Sequence, residues 1–158
     1  MRPFDRQRCL TRAIQIVPFR RRHLARILRI ERASFGAEAW PRKYFLELYQ
    51  DCRDFFVIAK VGGRIAGYAV ACADKNQAEI ASLAVHPDYR RRGVAAALMQ
   101  HTLRGLKLAG ARRVELMVRT GNTAGAQLYR GLGFRRVRRV PRYYEDGGDG
   151  FLMVRAIQ

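Results

Sequence analysis

The sequence predicts an α/β domain of the α+β kind, in which about four helices cover a mixed sheet of about seven strands. Three observations predict it. Strand-like and helix-like segments follow one another in the order βααβββαβαββ, which combines hairpin pairing with helical connections. A β-hairpin is explicit around Gly62-Gly63. The chain has 158 residues with 49% hydrophobic content, which suits one core and excludes a disordered basic tail.

Residues 1–12 read as an N-terminal tail and residues 13–158 as a single domain. From Ala13, IQIVPF reads as a short strand, and Arg21 to Ser34 sets Leu24, Ile27, Leu28 and Ile30 at helical spacing with arginines on the other face. Phe35 to Pro41, FGAEAWP, is a loop with two large aromatics, followed by a short helical stretch through Phe45, Leu48 and Tyr49. Phe55 to Val61 and Arg64 to Ala73 form the hairpin, and Ala78 to Val85 the next strand, which His86-Pro87-Asp88 breaks. Ala95, Leu98, Met99, Thr102, Leu103 and Leu106 then fall on one helical stripe, closed by Gly110. Arg113 to Val118 alternates as a strand, Asn122 can cap a helix running to Leu132, and Gly133 suits the left-handed residue after it. Strands at about Arg135 to Val140 and Phe151 to Arg155 flank a turn at Gly147 and Gly148.

With 31 basic and 13 acidic residues the formal net charge is +18, and only Lys43, Lys60, Lys75 and Lys107 are lysines. Guanidinium therefore dominates, the group best shaped for forked contact with phosphate or carboxylate. An anionic ligand or surface is expected, beside the alternative of an arginine-rich solvated exterior. Cys9, Cys52 and Cys72 are odd in number and widely spaced, outside any CxxC or Cys/His cluster. That argues against a disulfide framework and against a metal site such as zinc, and it points to a reducing, cytoplasmic setting. Arginines without an apolar stretch behind them, and no run of about 18 apolar residues, argue against secretion and membrane spanning. The same arginines faintly resemble an organelle transit peptide, which the near absence of serine counts against.

The informative window is AEIASLAVHPDYRRRGVAAA, Ala78 to Ala97: a strand, a tight turn, three arginines, a glycine and a helix start. A helix start presents unpartnered N–H groups and the positive end of the macrodipole, so it suits phosphate oxygens. Gly93 removes a side chain that would keep an anion away, Ala95 keeps the next turn low, and Arg90 to Arg92 add mobile positive charge. The unit should hold a pyrophosphate. GxxxxGK[ST] is absent, and Gly131-Leu132-Gly133 ends a helix, so neither nucleotide fingerprint is present.

Read as RxxGxA, Arg90, Gly93 and Ala95 after LAVHPDY resemble the acyl-CoA-binding signature of the GNAT superfamily of N-acyltransferases. The resemblance covers about residues 13 to 158 and includes NTAGAQLYRGLGF, Asn122 to Phe134. It implies a GNAT-like, mostly antiparallel sheet in which two neighbouring parallel strands, Ile80 to Val85 and Val114 to Val118, splay apart to admit the pantetheine. Acetyl-CoA is the implied cofactor. Its implied contacts are the strand around Leu83, Ala84 and Val85, the turn of Arg90, Arg91, Arg92, Gly93, Val94 and Ala95, and Asn122 and Tyr129, with the sulfur beside Tyr129. An N–H on the first strand, that of Leu83, would polarise the thioester carbonyl. Asn122 as a helix cap is compatible with ligand contact, whereas a core aromatic is the alternative use of Tyr129.

Acyl transfer needs a neutral amine, an acceptor for its proton and a donor to the leaving thiolate. By the resemblance Glu79 is the candidate acceptor and Tyr129 the candidate donor, a salt-bridge carboxylate being the other use of Glu79. Within the superfamily the loop SFGAEAWP, the LYRGLGF segment and the ending RYYEDGGDGFLMV resemble ribosomal-protein alanine N-acetyltransferases and related peptide N-terminal acetyltransferases. That implies a peptide groove lined by Phe35, Tyr143 and Tyr144, the alternative being aromatics that pack a hairpin. One departure is present: where those relatives carry a glutamate on the strand before the asparagine helix, this sequence has Met117, with Glu115 two residues earlier. With reference pKa values of about 7.8 and 10.4, an α-amine is roughly one-third neutral near pH 7.5 and lysine roughly one-thousandth, a gap of about 3 kcal/mol. One modest base therefore suits an α-amine. A small-molecule amine is a second expectation, and a ribosome- or nucleic-acid-binding module a third, motivated by Arg20, Arg21, Arg22, Arg26, Arg29 and Arg32 and by the run from Arg130 to Arg142.

Overall fold

A computed structural model describes residues 13–158. The expected tail and Cys9 lie outside the described residues. Seven strands form one sheet: β1 (Ile14–Pro18), β2 (Phe56–Val61), β3 (Arg64–Asp74), β4 (Gln77–Val85), β5 (Arg113–Arg119), β6 (Arg135–Val140) and β7 (Gly150–Ala156). Their order across the sheet is β1-β2-β3-β4-β5-β7-β6, antiparallel throughout except for β4 beside β5. Four helices accompany them: α1 (Leu24–Phe35), α2 (Arg42–Asp51), α3 (Val94–Leu108) and α4 (Thr123–Gly131). The mixed, mostly antiparallel architecture expected from the sequence is the one found.

The sheet is covered on both faces, which explains the continuous apolar run in β2. Phe56 and Ile58 face Leu24, Ile27 and Ile30 of α1 and Phe45 of α2, while Val57 and Ala59 face Val94 and Leu98 of α3. Leu103 and Leu106 of α3 continue that second layer over Val114, Leu116 and Val118 of β5, where Tyr129 of α4 also packs. Each such fully buried aliphatic or aromatic side chain contributes about 1.5–3 kcal/mol, so the two layers fix the sheet between them.

Inside the first layer Glu31 of α1 is 2% exposed. Its carboxylate accepts from the Trp40 N–H at 3.0 Å and from the Tyr68 hydroxyl, which also meets Ser82 Oγ at 2.9 Å. Burial raises the Glu31 carboxyl above its ordinary value. This buried network ties the α1–α2 loop to β3 and β4.

Two local expectations are corrected. The first helix does not start at Arg21: Arg21–His23 is a 3-10 turn, because His23 Nδ1 accepts from the Arg20 N–H at 2.9 Å and closes a tighter turn first. Cys52 and Cys72 form a disulfide, contrary to the expectation of none. Their separation of 20 residues carries no local signal, but α2 delivers Cys52, the residue after its last turn, to β3 and brings the two Cα atoms to 5.1 Å.

The sheet opens at its centre. β4 and β5 pair only through Gln77, Ala78 and Glu79, opposite Arg113, Val114 and Glu115. Beyond that the β3–β4 register slips, Val70 facing Ser82 and Ala71 facing Ile80, which leaves Ala81 as an extra residue. A bulge bends the strand that carries it, and here it turns β4 away from β5 just past the last pair. The expected splay is present.

Candidate active site

The gap between β4 and β5 continues as a cleft of about 1130 Å³. One wall is the edge of β4. The His86 N–H donates to Ala66 O of β3 at 2.8 Å, so strand alternation turns the N–H groups of Val85 and Leu83 the other way, into the gap that β5 has left. Leu83, Ala84 and Val85 all line the cleft.

The floor is the start of α3. Gly93 caps the helix at φ 79° and ψ 10°, a left-handed conformation for which glycine is suited. The first in-helix acceptor is used by Ala97, whose N–H meets Gly93 O at 3.0 Å, so the N–H groups of Val94, Ala95 and Ala96 have no helical partner. Gly93, Val94, Ala95 and Ala96 line the cleft, and the first turn contains no acidic residue. Such an arrangement suits an anion, the helix supplying both donors and field.

The arginines divide in a way the sequence does not reveal. Arg91, at φ 61°, lines the cleft. Arg90 also borders it, but its guanidinium is engaged, Nε donating to Val85 O at 3.0 Å and an Nη to Ser34 Oγ at 3.3 Å. Arg92 lies over the Tyr89 ring, 5.6 Å from its centroid, and does not line the cleft. The expectation of three mobile cations is therefore corrected: Arg90 fastens the turn to β4 and α1, and Arg92 stacks.

The far wall belongs to α4 and the turn before it. Asn122 Oδ1 accepts from the Gly125 N–H at 2.9 Å, which caps α4 and leaves the side-chain NH₂ able to donate elsewhere. Asn122, Gly125, Leu128 and Tyr129 face the cleft. Burial, and secondarily Tyr144, push the Tyr129 phenol up to about 12. It stays protonated at neutral pH and serves as a hydrogen-bond donor.

The open end of the splay is built by β5 and two loops. Alternation puts Glu115, Met117 and Arg119 on one face of β5, opposite the buried Val114, Leu116 and Val118. Glu79 stands beside Glu115 in register, and the two carboxylates share the mouth of the splay. Desolvation first, and Glu115 second, raise the Glu79 carboxyl, although solvent still reaches that residue. Met117 occupies the position where the resemblance implies a glutamate, and its methyl crowds Gly150, against which the rings of Tyr143 and Tyr144 lie. It is a packing floor. Tyr143 and Tyr144 meet edge-on at 4.9 Å, and Tyr143 is raised by burial and then by Glu79 and Glu115.

Arg119 closes this end. It pairs with Glu38 of the α1–α2 loop and with Asp146 of the β6–β7 loop at 3.1 Å, over the Tyr144 ring at 4.1 Å. The Asp146 N–H also meets Glu38 Oε1 at 3.3 Å. Phe35, Glu38, Arg119 and Asp146 line the cleft, whereas Glu79, Tyr143 and Tyr144 stand outside its lining. Sequence reading missed Glu38, Arg119 and Asp146. Their only signal is that Arg119 shares a strand face with Glu115, since the partners come from loops remote in the chain. Among the described residues no three His, Cys, Asp or Glu side chains are grouped to hold a metal ion, and no helix is long and apolar enough to cross a membrane.

Comparison with known proteins agrees with this geometry. An N-alpha-acetyltransferase of Sulfurisphaera tokodaii is 31% identical over 140 residues, covering 80% of this chain and 83% of the relative. The crystal structure of Ard1 from Thermoplasma volcanium superposes with a TM-score of 0.87 at 27% identity, covering 92% of this chain and 99% of that one. The ribosomal-protein-S18-alanine N-acetyltransferase of Escherichia coli gives a TM-score of 0.83 at 27% identity, with 92% and 95% covered. With the acetyltransferase (GNAT) family matched over residues 24–134, around a parted strand pair and a helix start free of acidic residues, the chain belongs to that family of acetyl-CoA-dependent N-acetyltransferases.

Proposed function

We propose that this chain acetylates the α-amine of a protein or peptide N-terminus. The observation that carries the reading is the acceptor end, where Glu79 and Glu115 stand side by side at the open mouth of the splay, below two tyrosines and the Glu38–Arg119–Asp146 bridge. The three relatives described above, each named for N-terminal or ribosomal-protein alanine acetylation or as Ard1, support it.

The cleft suits acetyl-CoA, which supplies an activated acetyl thioester when bound. The Gly93–Ala96 amides and Arg91 would hold its diphosphate, Leu83 and Val85 would pair with its pantetheine, and Asn122 would donate to it. Phe35, Tyr143 and Tyr144 would border the peptide. Glu79 accepts the proton of the incoming ammonium, its raised value bringing it nearer to that of an α-amine. Tyr129 donates a hydrogen bond to the leaving sulfur. Against a thiol of about 8.5, a phenol at about 12 lies about 5 kcal/mol on the wrong side for full proton transfer. Tyr129 therefore stabilises the thiolate without surrendering its proton.

Thiol release measured over N-terminal peptides, polyamines and drug-like amines tests the reading. Turnover confined to the small amines would reject the peptide acceptor in favour of small-molecule acetylation.

A ribosome or nucleic-acid contact is a second reading, favoured by β6, an edge strand on which Arg135, Arg136, Arg138 and Arg139 are all exposed. An arginine-studded edge also deters pairing with other strands. Filter binding of RNA over a salt series separates the two, a steep loss of affinity with salt supporting contact and absence of binding at low salt rejecting it. We further place the protein in the cytoplasm, where thiol buffers keep Cys52 and Cys72 reduced and the disulfide is the oxidised form. Alkylation in fresh lysate followed by intact mass tests this, with both thiols expected to be labelled.

A further inference from the structure

Glu79 and Glu115 form the last pair before the sheet opens. In-register neighbours on parallel strands point to the same face with backbones about 4.8 Å apart, so the two carboxylates occupy one small volume. The Arg113 guanidinium lies 3.6 Å from Glu115 Oε2, whereas Glu79 makes no ion pair among the described residues. Across the sheet the residue opposite Glu79 on β3 is Cys72, which the structure shows joined to Cys52. From the β6–β7 loop Tyr143 faces the pair, with Tyr144 edge-on behind it and Arg119 over Tyr144. Met117, next on the same face of β5, carries a thioether and takes no proton.

We propose that Glu115, anchored by Arg113, is a positioning residue whose negative charge makes Glu79 the place where the proton of the incoming ammonium lodges. It does for this chain what the thioether of Met117 cannot do. The role rests on the acetyl transfer proposed above. An R–NH₃⁺ group gives one proton to the Glu79 carboxylate and becomes a neutral amine. Its lone pair forms the C–N bond to the acetyl carbon as the C–S bond breaks, and the second N–H proton neutralises the thiolate. Glu79, open to solvent, returns the first proton to water. Burial and then Glu115 raise the Glu79 carboxyl, the direction that this role requires. With Arg113 set against Glu115, the pair still offers a net negative charge to a cationic acceptor that the rest of a +18 chain repels.

The test uses the full chain with an N-terminal peptide and acetyl-CoA. Glu115→Gln is expected to lower kcat about tenfold and to move its acid limb to lower pH, because Glu79 becomes a weaker base without its neighbour. Glu115→Asp is expected to restore most of both. In Glu79→Gln the limb disappears, and adding Glu115→Gln changes kcat by less than about twofold, since Glu115 acts through Glu79. Losses that multiply in the double variant, or a Glu115→Gln profile unchanged from the parent, overturn the proposal. Carbon NMR of the Glu79 carboxyl without acceptor gives a readout free of activity: its midpoint should fall in Glu115→Gln, and an unmoved midpoint overturns the coupling. A midpoint that moves in a protein which acetylates no α-amine would leave the coupling standing and refute its use in acetyl transfer.

Discussion

A carboxylate placed in the first turn of α3 should strengthen the helix and ruin the cofactor site at once. Ala96 is the third residue of α3, lines the cleft, is partly exposed and sits in a first turn without any acid. In Ala96→Glu the new charge opposes the macrodipole, which stabilises a helix by about 0.3–1 kcal/mol. Bound diphosphate would instead sit about 6 Å away with about two negative charges. At an effective dielectric of about 40, each repulsion costs about 1.4 kcal/mol, together about 3 kcal/mol and about a hundredfold in affinity. Calorimetry with acetyl-CoA at about 0.1 M salt, where the screening length is about 10 Å, measures the loss. Thermal denaturation of the same sample should give a Tm equal to or above that of the parent. Ala96→Gln separates charge from bulk and should recover most of the affinity. Binding by Ala96→Glu within about threefold of the parent would mean that the diphosphate lies elsewhere, and the assignment of the α3 start would fall.

Arg119→Met removes the bridge between Glu38 and Asp146. Because these ion pairs are partly exposed, Tm should fall by less than about 4 °C, while the KM for peptide rises about tenfold and that for acetyl-CoA stays within about twofold. Steady-state kinetics with each substrate varied checks the split. Tyr129→Phe should lower kcat at least tenfold without moving its pH profile, because a phenol pushed up to about 12 contributes no alkaline limb below pH 10. A limb near pH 9 that vanishes in the variant would contradict this. Reduction of Cys52–Cys72, which closes a 20-residue span, should cost about 3 kcal/mol and lower Tm by about 6–12 °C in calorimetry.

What could be read from the sequence was what rests on local rules. The Asn122 cap, the left-handed Gly133 and the buried stripe of α3 depend on a few consecutive residues, and each is found where expected. The splay came from the resemblance, and its physical cause, the extra residue at Ala81, is invisible without the β3 register. The Cys52–Cys72 bond, the capture of Arg90 by Val85 O and Ser34, and the Glu38–Arg119–Asp146 bridge each join separate elements. No periodicity records such meetings, because they follow from how α1, α2 and the β6–β7 loop settle on the sheet.

The net charge of +18 describes the whole chain and misdescribes its site. An acetyltransferase of this kind must hold an anion and a cation at opposite ends of one pantetheine arm, and only the first gains from a positive exterior. At the anion end the start of α3 has no acidic residue and presents backbone N–H groups, so its field comes from the helix. The acceptor end collects Glu38, Glu79, Glu115 and Asp146 from four separate elements of a chain with only 13 acids. Arg119 pairs with the two loop carboxylates and Arg113 with Glu115, so Glu79, without an ion pair among the described residues, is the local negative charge facing an ammonium. Steering by bulk charge would therefore favour acetyl-CoA over the amine. Raising ionic strength should weaken acetyl-CoA binding more than acceptor binding, because the acceptor meets its field only inside the Debye length of the carboxylate pair.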